Sequence, residues 1–133
     1  MSQQNVEILR RAIEAFNRGD PHAWAAVLAP DFEYIASGAV VGIGGTYRGA
    51  DGFRQFLDSF WDEFDEPTVE LGEVIASGDQ VLASVTFRGR GKHSGITTDW
   101  HLWQLWTLLD GKAVRGQAFT RKEEALEAAG LSE

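Results

Sequence analysis

Cysteine is absent from this chain of 133 residues, so disulfide bonds and thiolate chemistry are excluded. Long apolar runs are absent as well, because no segment approaches the roughly 20 residues that cross a bilayer as a helix. Residues 1–5 lack a basic segment followed by an apolar one, so we expect no signal peptide. Together these absences favour a cytoplasmic location.

Positive charge is scarce, because 12 Lys and Arg stand against 20 Asp and Glu and the formal net charge is -8. Such a surface repels phosphate backbones and anionic lipids, so we expect neither a nucleic-acid partner nor a membrane partner. The length is that of one domain, and 44% of hydrophobic residues suffices for one core. We therefore predict a single domain over residues 1–133.

Several catalytic and binding motifs are also missing. The glycine-rich residues 37–49 contain neither a Gly-Lys-Ser/Thr phosphate loop nor a dinucleotide fingerprint, so they predict an ordinary loop. The 3 histidines include no i, i+4 pair of the kind that binds zinc on a helix, and no Gly-x-Ser-x-Gly nucleophile elbow occurs. We expect no metal and no cofactor.

Helical spacing of apolar residues dominates the first half of the sequence. It predicts three helices, over residues 3–18, 21–28 and 50–64. Asp20 as an N-cap and Pro21 at the first helical position mark the start of the second helix, and a short strand over residues 32–36 follows it. The third helix carries four phenylalanines on one stripe, which indicates core, although Phe56 could also wall a pocket.

After the third helix the pattern changes to strands. Alternation predicts strands over residues 68–76, 81–88, 97–109 and 112–119. Asp110-Gly111 predicts a tight hairpin between the last two strands, and Thr120 with Glu123 predicts a capping box that opens a final helix ending near Gly130. Helices and an antiparallel sheet kept apart along the chain indicate an α+β fold.

The strand over residues 97–109 carries tryptophan and leucine on both of its faces. A sheet covered on one side should instead alternate apolar with polar residues. Both faces must therefore be covered, one by the three helices and the other, we predict, by a second copy of the chain. The sequence thus predicts a homodimer.

The helix-covered side of the two hairpin strands is predicted to form a pocket that carries Gln104, Trp106, Arg115, Gln117 and Phe119. A buried and unpaired guanidinium is costly, so Arg115 needs either an acidic side chain such as Glu14 or Glu33, or an anionic or carbonyl ligand. In the first interpretation the glutamines are satisfied core amides. In the second, Arg115 is the main polar determinant of ligand recognition.

Asp99 and His101 lie two residues apart on one face of the long strand, where they could form a carboxylate-oriented acid/base pair. The alternative is a pair of polar residues at the rim of a dimer. The alternation of the strand places both on the side away from the pocket.

Several runs resemble, in order, SnoaL-like proteins of the nuclear transport factor 2-like superfamily. They are residues 9–20 (LRRAIEAFNRGD), 30–34 (PDFEY), 47–49 (YRG), 94–95 (SG), 106–112 (WTLLDGK) and 123–130 (EEALEAAG). The resemblance implies a cone-shaped, curved antiparallel sheet wrapped by three N-terminal helices, with a deep pocket and commonly a homodimeric assembly. Relatives include polyketide cyclases, steroid isomerases, dehydratases, epoxide hydrolases and plain binding domains, so the fold does not fix the function.

The catalytic residues of these relatives mostly do not carry over. The tyrosine and the two aspartates of steroid isomerases fall at Ala12, Ala36 and Gln104. Residues 97–99 read Thr-Thr-Asp and lack the arginine of the Arg-x-Asp that epoxide hydrolases of this fold require. The aspartate and histidine of SnoaL-like cyclases have a near match only in Asp99 and His101, which are expected to face away from the pocket.

Two functions follow from these observations. One is a small-molecule pocket protein, in enzyme form a cofactor-independent cyclase or isomerase, for an apolar ring-bearing compound with a carbonyl or acidic group. Its ligand would contact Tyr34, Phe56, Gln104, Trp106, Arg115, Gln117 and Phe119. The other is a non-catalytic module for ligand binding or dimerisation.

Overall fold

The computed structural model describes residues 2–36 and 45–131, and it has the predicted α+β architecture. Its α-helices are α1 (Ser2–Asn17), α2 (Gly49–Glu63) and α3 (Lys122–Ala128), and a 3₁₀ helix spans Pro21–Val27. Its strands are β1 (Leu28–Ala36), β2 (Gly45–Arg48), β3 (Phe64–Ser77), β4 (Gln80–Gly91), β5 (Thr97–Leu109) and β6 (Lys112–Phe119). None of these helices is long and apolar enough to traverse a lipid bilayer.

The described strands form one curved, unclosed sheet in the order β2-β1-β6-β5-β4-β3. Neighbouring strands are antiparallel except for β1 and β6, which run parallel and place Tyr34 beside Gly116. The sequence predicted an antiparallel sheet throughout. The parallel pairing was not predicted, because β1 and β6 are far apart in the sequence and no hairpin with recognisable turn residues connects them.

The predicted loop over residues 37–49 is corrected in its second half, where β2 forms and α2 begins at Gly49. This short strand pairs with β1, Thr46 beside Ile35 and Tyr47 beside Tyr34. The sequence Gly-Thr-Tyr-Arg does not alternate apolar with polar residues in the way that marks a strand. The rest of that loop, residues 37–44, lies outside the described residues.

The two predicted helix caps have different outcomes. Asp20 does occupy the N-cap of the 3₁₀ helix, with Pro21 after it, although its side chain makes no capping hydrogen bond. The capping box of Thr120 and Glu123 is wrong, because α3 begins one residue later than that pattern requires. Arg121 occupies its N-cap and makes no side-chain capping bond.

The predicted apolar stripes of α1 and α2 are confirmed as core. Both helices pack on one face of the sheet, which we call the inner face, and they bury Leu9, Ile13, Phe16, Phe53, Phe56, Leu57 and Phe60. Burial of each such side chain contributes roughly 1.5–3 kcal/mol, so the two stripes provide much of the driving force for helix docking.

Asn17, the last residue of α1, attaches that helix to β3. Its Nδ2 donates to the carbonyl oxygen of Val69 at 3.0 Å, and its Oδ1 accepts from the amide of Val69 at 2.8 Å. One side chain thus satisfies both polar backbone groups of Val69 in an edge strand, where another strand would otherwise be needed.

The opposite, outer face of the sheet is partly covered by α3. Leu82 and Leu105 pack there against Ala125 and Leu126 in a second buried cluster. Leu105 is therefore buried without a second copy of the chain, which corrects part of the reasoning behind the predicted homodimer. The helix after β6 folds back over the sheet and provides that cover, while Trp103 stays half-buried, with the Lys122 ammonium 5.3 Å from its ring.

Candidate functional site

A cavity lies between the two long helices and the inner face of the sheet. Its volume is about 730 Å³, including the part that opens to solvent. The space that the centre of a water-sized molecule can reach measures about 80 Å³. The lining residues are Ile13, Phe16, Trp24, Tyr34, Ala36, Phe53, Phe56, Leu57, Phe60, Val69, Val85, Phe87, Trp100, Leu102, Gln104, Trp106 and Ala118.

The alternation of β5 determines which of its side chains reach the cavity. The even positions Trp100, Leu102, Gln104 and Trp106 all line it. In register with Gln104 stand Ala83 of β4 and Ala118 of β6. Because these neighbours are small, the sheet leaves room around the Gln104 amide, while bulkier residues of β5 line the cavity on either side of it.

A chain of two hydrogen bonds runs through the polar part of the lining. Trp106 Nε1 donates to Gln104 Oε1 at 3.1 Å, and Gln104 Nε2 donates to the Tyr34 hydroxyl oxygen at 3.0 Å. An indole nitrogen can only donate, so the Trp106 ring fixes the orientation of the Gln104 amide. Tyr34 consequently accepts a bond, and its own hydroxyl hydrogen is left to donate elsewhere.

Burial raises the pKa of the Tyr34 hydroxyl further above neutral pH. Its side chain is 2% exposed, and removal from water raises its pKa from 10.0 to about 12, a shift that the bond from Gln104 opposes in part. A phenol with that pKa holds its proton at neutral pH. Tyr34 can therefore donate a hydrogen bond to a ligand but cannot act there as a base.

Trp24 brings another buried donor next to this chain. Its ring stacks on Trp106 with centroids 5.1 Å apart. Its Nε1 is buried and has no hydrogen-bond partner in the part of the chain that the structure describes. The cavity lining thus contains one further indole donor beside the ring of Trp106.

Four of the predicted ligand-binding residues, Tyr34, Phe56, Gln104 and Trp106, do line this cavity. The other three, Arg115, Gln117 and Phe119, do not, and the prediction that they point into the pocket is wrong. Arg115 is exposed on the outer face and donates to Gln117 Oε1 at 3.4 Å. Among the described residues no acidic side chain forms an ion pair with Arg115, although Glu33 of β1 is its register neighbour.

The cause of this error is a β-bulge beside the hairpin. Leu108 pairs with Ala113, but Thr107 pairs with Arg115, so Val114 is an extra residue in β6. A regular hairpin would have paired Thr107 with Val114. One inserted residue moves every following side chain to the opposite face, which puts Gly116 in place of Arg115 beside Trp106.

Asp99 and His101 lie on the outer face, as predicted, and both are exposed. Asp99 Oδ1 is 3.5 Å from Arg88 Nε, and His101 Nδ1 shares a hydrogen bond of 3.0 Å with Thr86 Oγ1. The structure does not pair the two with each other, and neither lines the cavity. Among the described residues no group of acidic and histidine side chains could hold a metal ion.

Several lining residues were not identified from the sequence. Trp100 and Leu102 lie at even positions of β5 like Gln104, so the alternation of that strand could have identified them. Phe87 shares a face of β4 with Val85 by the same alternation, whereas Trp24 gave no comparable signal, because its place at the cavity depends on how the 3₁₀ helix packs.

A family model described as the SnoaL-like domain matches residues 9–116 of the sequence. The chain belongs to the SnoaL-like domain family. This confirms the resemblance, and in this SnoaL-like domain the matched range includes every strand that lines the cavity except the end of β6. No curated protein matches the chain.

Solved structures similar to this SnoaL-like domain cover nearly the whole chain. A nuclear transport factor 2-like protein of unknown function from Burkholderia pseudomallei is 26% identical, with a TM-score of 0.78 over 96% of this chain and 97% of that one. TerC, co-crystallised with polyporic acid, is 25% identical, with a TM-score of 0.77 over 93% and 96%. A protein from Jannaschia assigned as a SnoaL-like polyketide cyclase is 21% identical, with a TM-score of 0.78 over 100% and 96%, and supports the fold alone.

Proposed function

We propose that this SnoaL-like domain binds a small, neutral, ring-bearing molecule in the cavity and holds it by a carbonyl oxygen. The observation that carries the proposal is the Trp106–Gln104–Tyr34 hydrogen-bond chain inside an aromatic lining. Apolar walls with a few placed polar groups are the usual composition of a small-molecule site. The co-crystallisation of TerC with polyporic acid supports an organic ligand for a chain of this fold.

The direction of the hydrogen bonds favours an acceptor on the ligand. Gln104 Nε2 has a second hydrogen, and Tyr34 has its hydroxyl hydrogen, so both can donate. A carbonyl oxygen accepts two such bonds through its two lone pairs. A ligand that offered only donors would leave these groups unpaired, at a cost of about 1–3 kcal/mol for each buried group.

The charge of the lining favours a neutral ligand over an acidic one. With Arg115 on the outer face, none of the described lining residues carries a positive charge. A carboxylate in such surroundings would have to lose its hydration without a counter-ion, which is costly. Of the two ligand groups that the sequence suggested, the carbonyl is therefore the one we propose.

Binding is better supported than catalysis. The described lining residues include no carboxylate or imidazole, and the Tyr34 phenol is protonated at neutral pH. A cyclase or isomerase reaction would have to rely on polarisation of the carbonyl by the donors, so the non-catalytic binding module is the form that we propose.

Calorimetric titration with three compounds of one ring system tests this function: acetonaphthone, naphthoate and ethylnaphthalene. We expect the ketone to bind most tightly of the three. Tyr34→Phe should lower the affinity for the ketone roughly three- to tenfold, which corresponds to the loss of one hydrogen bond. Ethylnaphthalene should bind both proteins equally. Tyr47→Phe is the matched control, because Tyr47 lies outside the lining. Equal affinity for ketone and carboxylate, an unchanged ketone affinity in Tyr34→Phe, or no binding at all would refute the proposal.

We further propose that two copies associate through the outer face. Trp103 and Phe119 lie beside one another on β5 and β6 and pack against the outer-face cluster, but α3 leaves both of them only half-buried. Aromatic side chains in such positions are frequent at protein interfaces. A cytoplasmic location and the lack of a nucleic-acid partner also stay predictions from cysteine content and charge.

A further inference from the structure

Gly116 of β6 lies beneath the two aromatic rings that end the hydrogen-bond chain. It pairs with Tyr34 of β1 on one side and with Trp106 of β5 on the other. The rings of these two residues approach each other to a centroid distance of 5.6 Å. They converge over a position without a side chain, although Tyr34 and Trp106 belong to strands that are not adjacent.

A side chain at this position would meet both rings at once. A Cβ added to Gly116 would lie 2.8 Å from Tyr34 Cδ1 and 2.8 Å from Trp106 Cζ3, shorter than real Cβ contacts. Gly116 does not have a positive φ, so alanine suits the backbone of this strand. The consequence of an added methyl group would therefore be displacement of the rings and not backbone strain.

Neither ring can yield freely. Trp106 is stacked on Trp24 at 5.1 Å and on Phe32 at 6.0 Å, while Tyr34 has Phe53 and a second phenylalanine of α2 within 5.1 Å, centroid to centroid. Rigid rings held in this way move as a unit. Displacing them moves the indole nitrogen and the phenol oxygen between which the Gln104 amide is hydrogen-bonded.

We propose that Gly116 is a positioning residue of the site: its missing side chain lets Tyr34 and Trp106 converge and so sets the geometry in which the Gln104 amide and the Tyr34 hydroxyl face a ligand. The part that concerns a ligand rests on the proposed function. The part that concerns the hydrogen-bond chain applies to the protein alone and can be tested without any ligand.

The first test is nuclear magnetic resonance of the ligand-free protein with Gly116→Ala. The indole N–H signal of Trp106, identified by its loss in Trp106→Phe, should shift and exchange with solvent at least several-fold faster. Gly52→Ala is the matched control, because a Cβ on this helical glycine meets Tyr47 backbone at an ordinary 3.5 Å. The same signal should be unchanged there. A folded Gly116→Ala protein with an unaltered Trp106 signal would overturn the inference.

The second test covers the case in which Gly116→Ala does not fold. The same substitution is made in a Tyr34→Leu background, where one of the two rings is gone. We expect the double variant to fold, or the destabilisation caused by Gly116→Ala to fall by at least half. An equal destabilisation in both backgrounds, or failure of the double variant to fold where Tyr34→Leu alone folds, would show that the glycine does not act through the Tyr34 ring.

A third measurement, of acetonaphthone affinity, separates this inference from the proposed function. Gly116→Ala and Tyr34→Phe should each weaken binding of the ketone roughly three- to tenfold, and together by less than the product of the two losses, because both act on the Tyr34 hydroxyl. Additive losses would contradict the positioning role. If the indole signal shifts but the parent protein binds no ketone, the proposed function fails while the role of Gly116 in the hydrogen-bond chain stands.

Discussion

We predict that titration of Tyr34 lowers the free energy of unfolding at alkaline pH and that Tyr34→Phe abolishes this effect. The pKa of its hydroxyl is 10.0 in an unfolded chain and about 12 in the buried site. Between these values the native state retains a proton that the unfolded state has lost, so the free energy of unfolding decreases as pH rises. Two pKa units correspond to roughly 3 kcal/mol, all of it present below pH 10 and lost by about pH 12.

In Tyr34→Phe this alkaline loss of stability should be absent, but the substitution should destabilise the protein by removing a hydrogen bond. The variant loses the acceptor of the Gln104 bond, which should lower its stability by about 1 kcal/mol at neutral pH. Between pH 10 and pH 12 the parent protein should lose roughly 3 kcal/mol of stability, which exceeds this difference of about 1 kcal/mol. The curves of unfolding free energy against pH for the two proteins should therefore cross near pH 11. Above the crossing, the phenylalanine variant should be the more stable protein.

Urea unfolding followed by far-ultraviolet circular dichroism, from about pH 8 to pH 11.5, measures both curves without interference from tyrosinate quenching of tryptophan emission. Tyr47→Phe, which leaves Tyr34 in place, serves as a control for the general alkaline loss of stability. Parallel curves for the parent and Tyr34→Phe over this range would refute the reasoning, because they would mean that Tyr34 titrates as an exposed phenol does.

The other predictions concern three separate parts of the fold. Asn17→Ala should lower the free energy of unfolding by about 1–3 kcal/mol in a urea titration, because two bonds to Val69 are lost; a change below experimental error would show that water replaces them without cost. Phe56→Ala should lower it by about 3–5 kcal/mol if the gap stays unfilled, and bound acetonaphthone should recover part of that loss in a thermal melt; a melt that does not respond to the ketone would argue that Phe56 is core alone. In sedimentation, the parent protein should have about twice the mass of one 14.7 kDa chain, and Trp103→Glu should shift it towards one; a parent protein that sediments as a monomer would contradict the proposed association.

The sequence predicted well where its signal is local. The stripe of α2 and the alternation of β5 are each read within one element, and they placed Phe56, Gln104 and Trp106 in the lining correctly. The limits of β5 and β6 were also predicted, because Asp110-Gly111 marks the turn between them.

The predictions failed where a second element or a backbone irregularity decides the outcome. The bulge at Val114 carries no residue type that would reveal it, yet it moves Arg115 out of the pocket. The bond between Gln104 and Tyr34 joins residues 70 positions apart, and the parallel contact of β1 with β6 leaves no periodic trace. Tyr34 was named from the resemblance and the strand pattern, but its partner and its role as a donor required the fold.

The parallel pairing of β1 with β6 has a consequence for the order in which the site can form. During synthesis α1, β1 and the phenylalanines of α2 leave the ribosome long before β6, whose Gly116 must dock beside Tyr34. Closing a loop of this length costs entropy, and only the contacts that the late strands form can offset that cost. Until then the aromatic stripe has no sheet to cover it, which makes the nascent chain a target for chaperones and for aggregation. The cavity is therefore complete only when β6 is inserted, because Ala118 of that strand lines it.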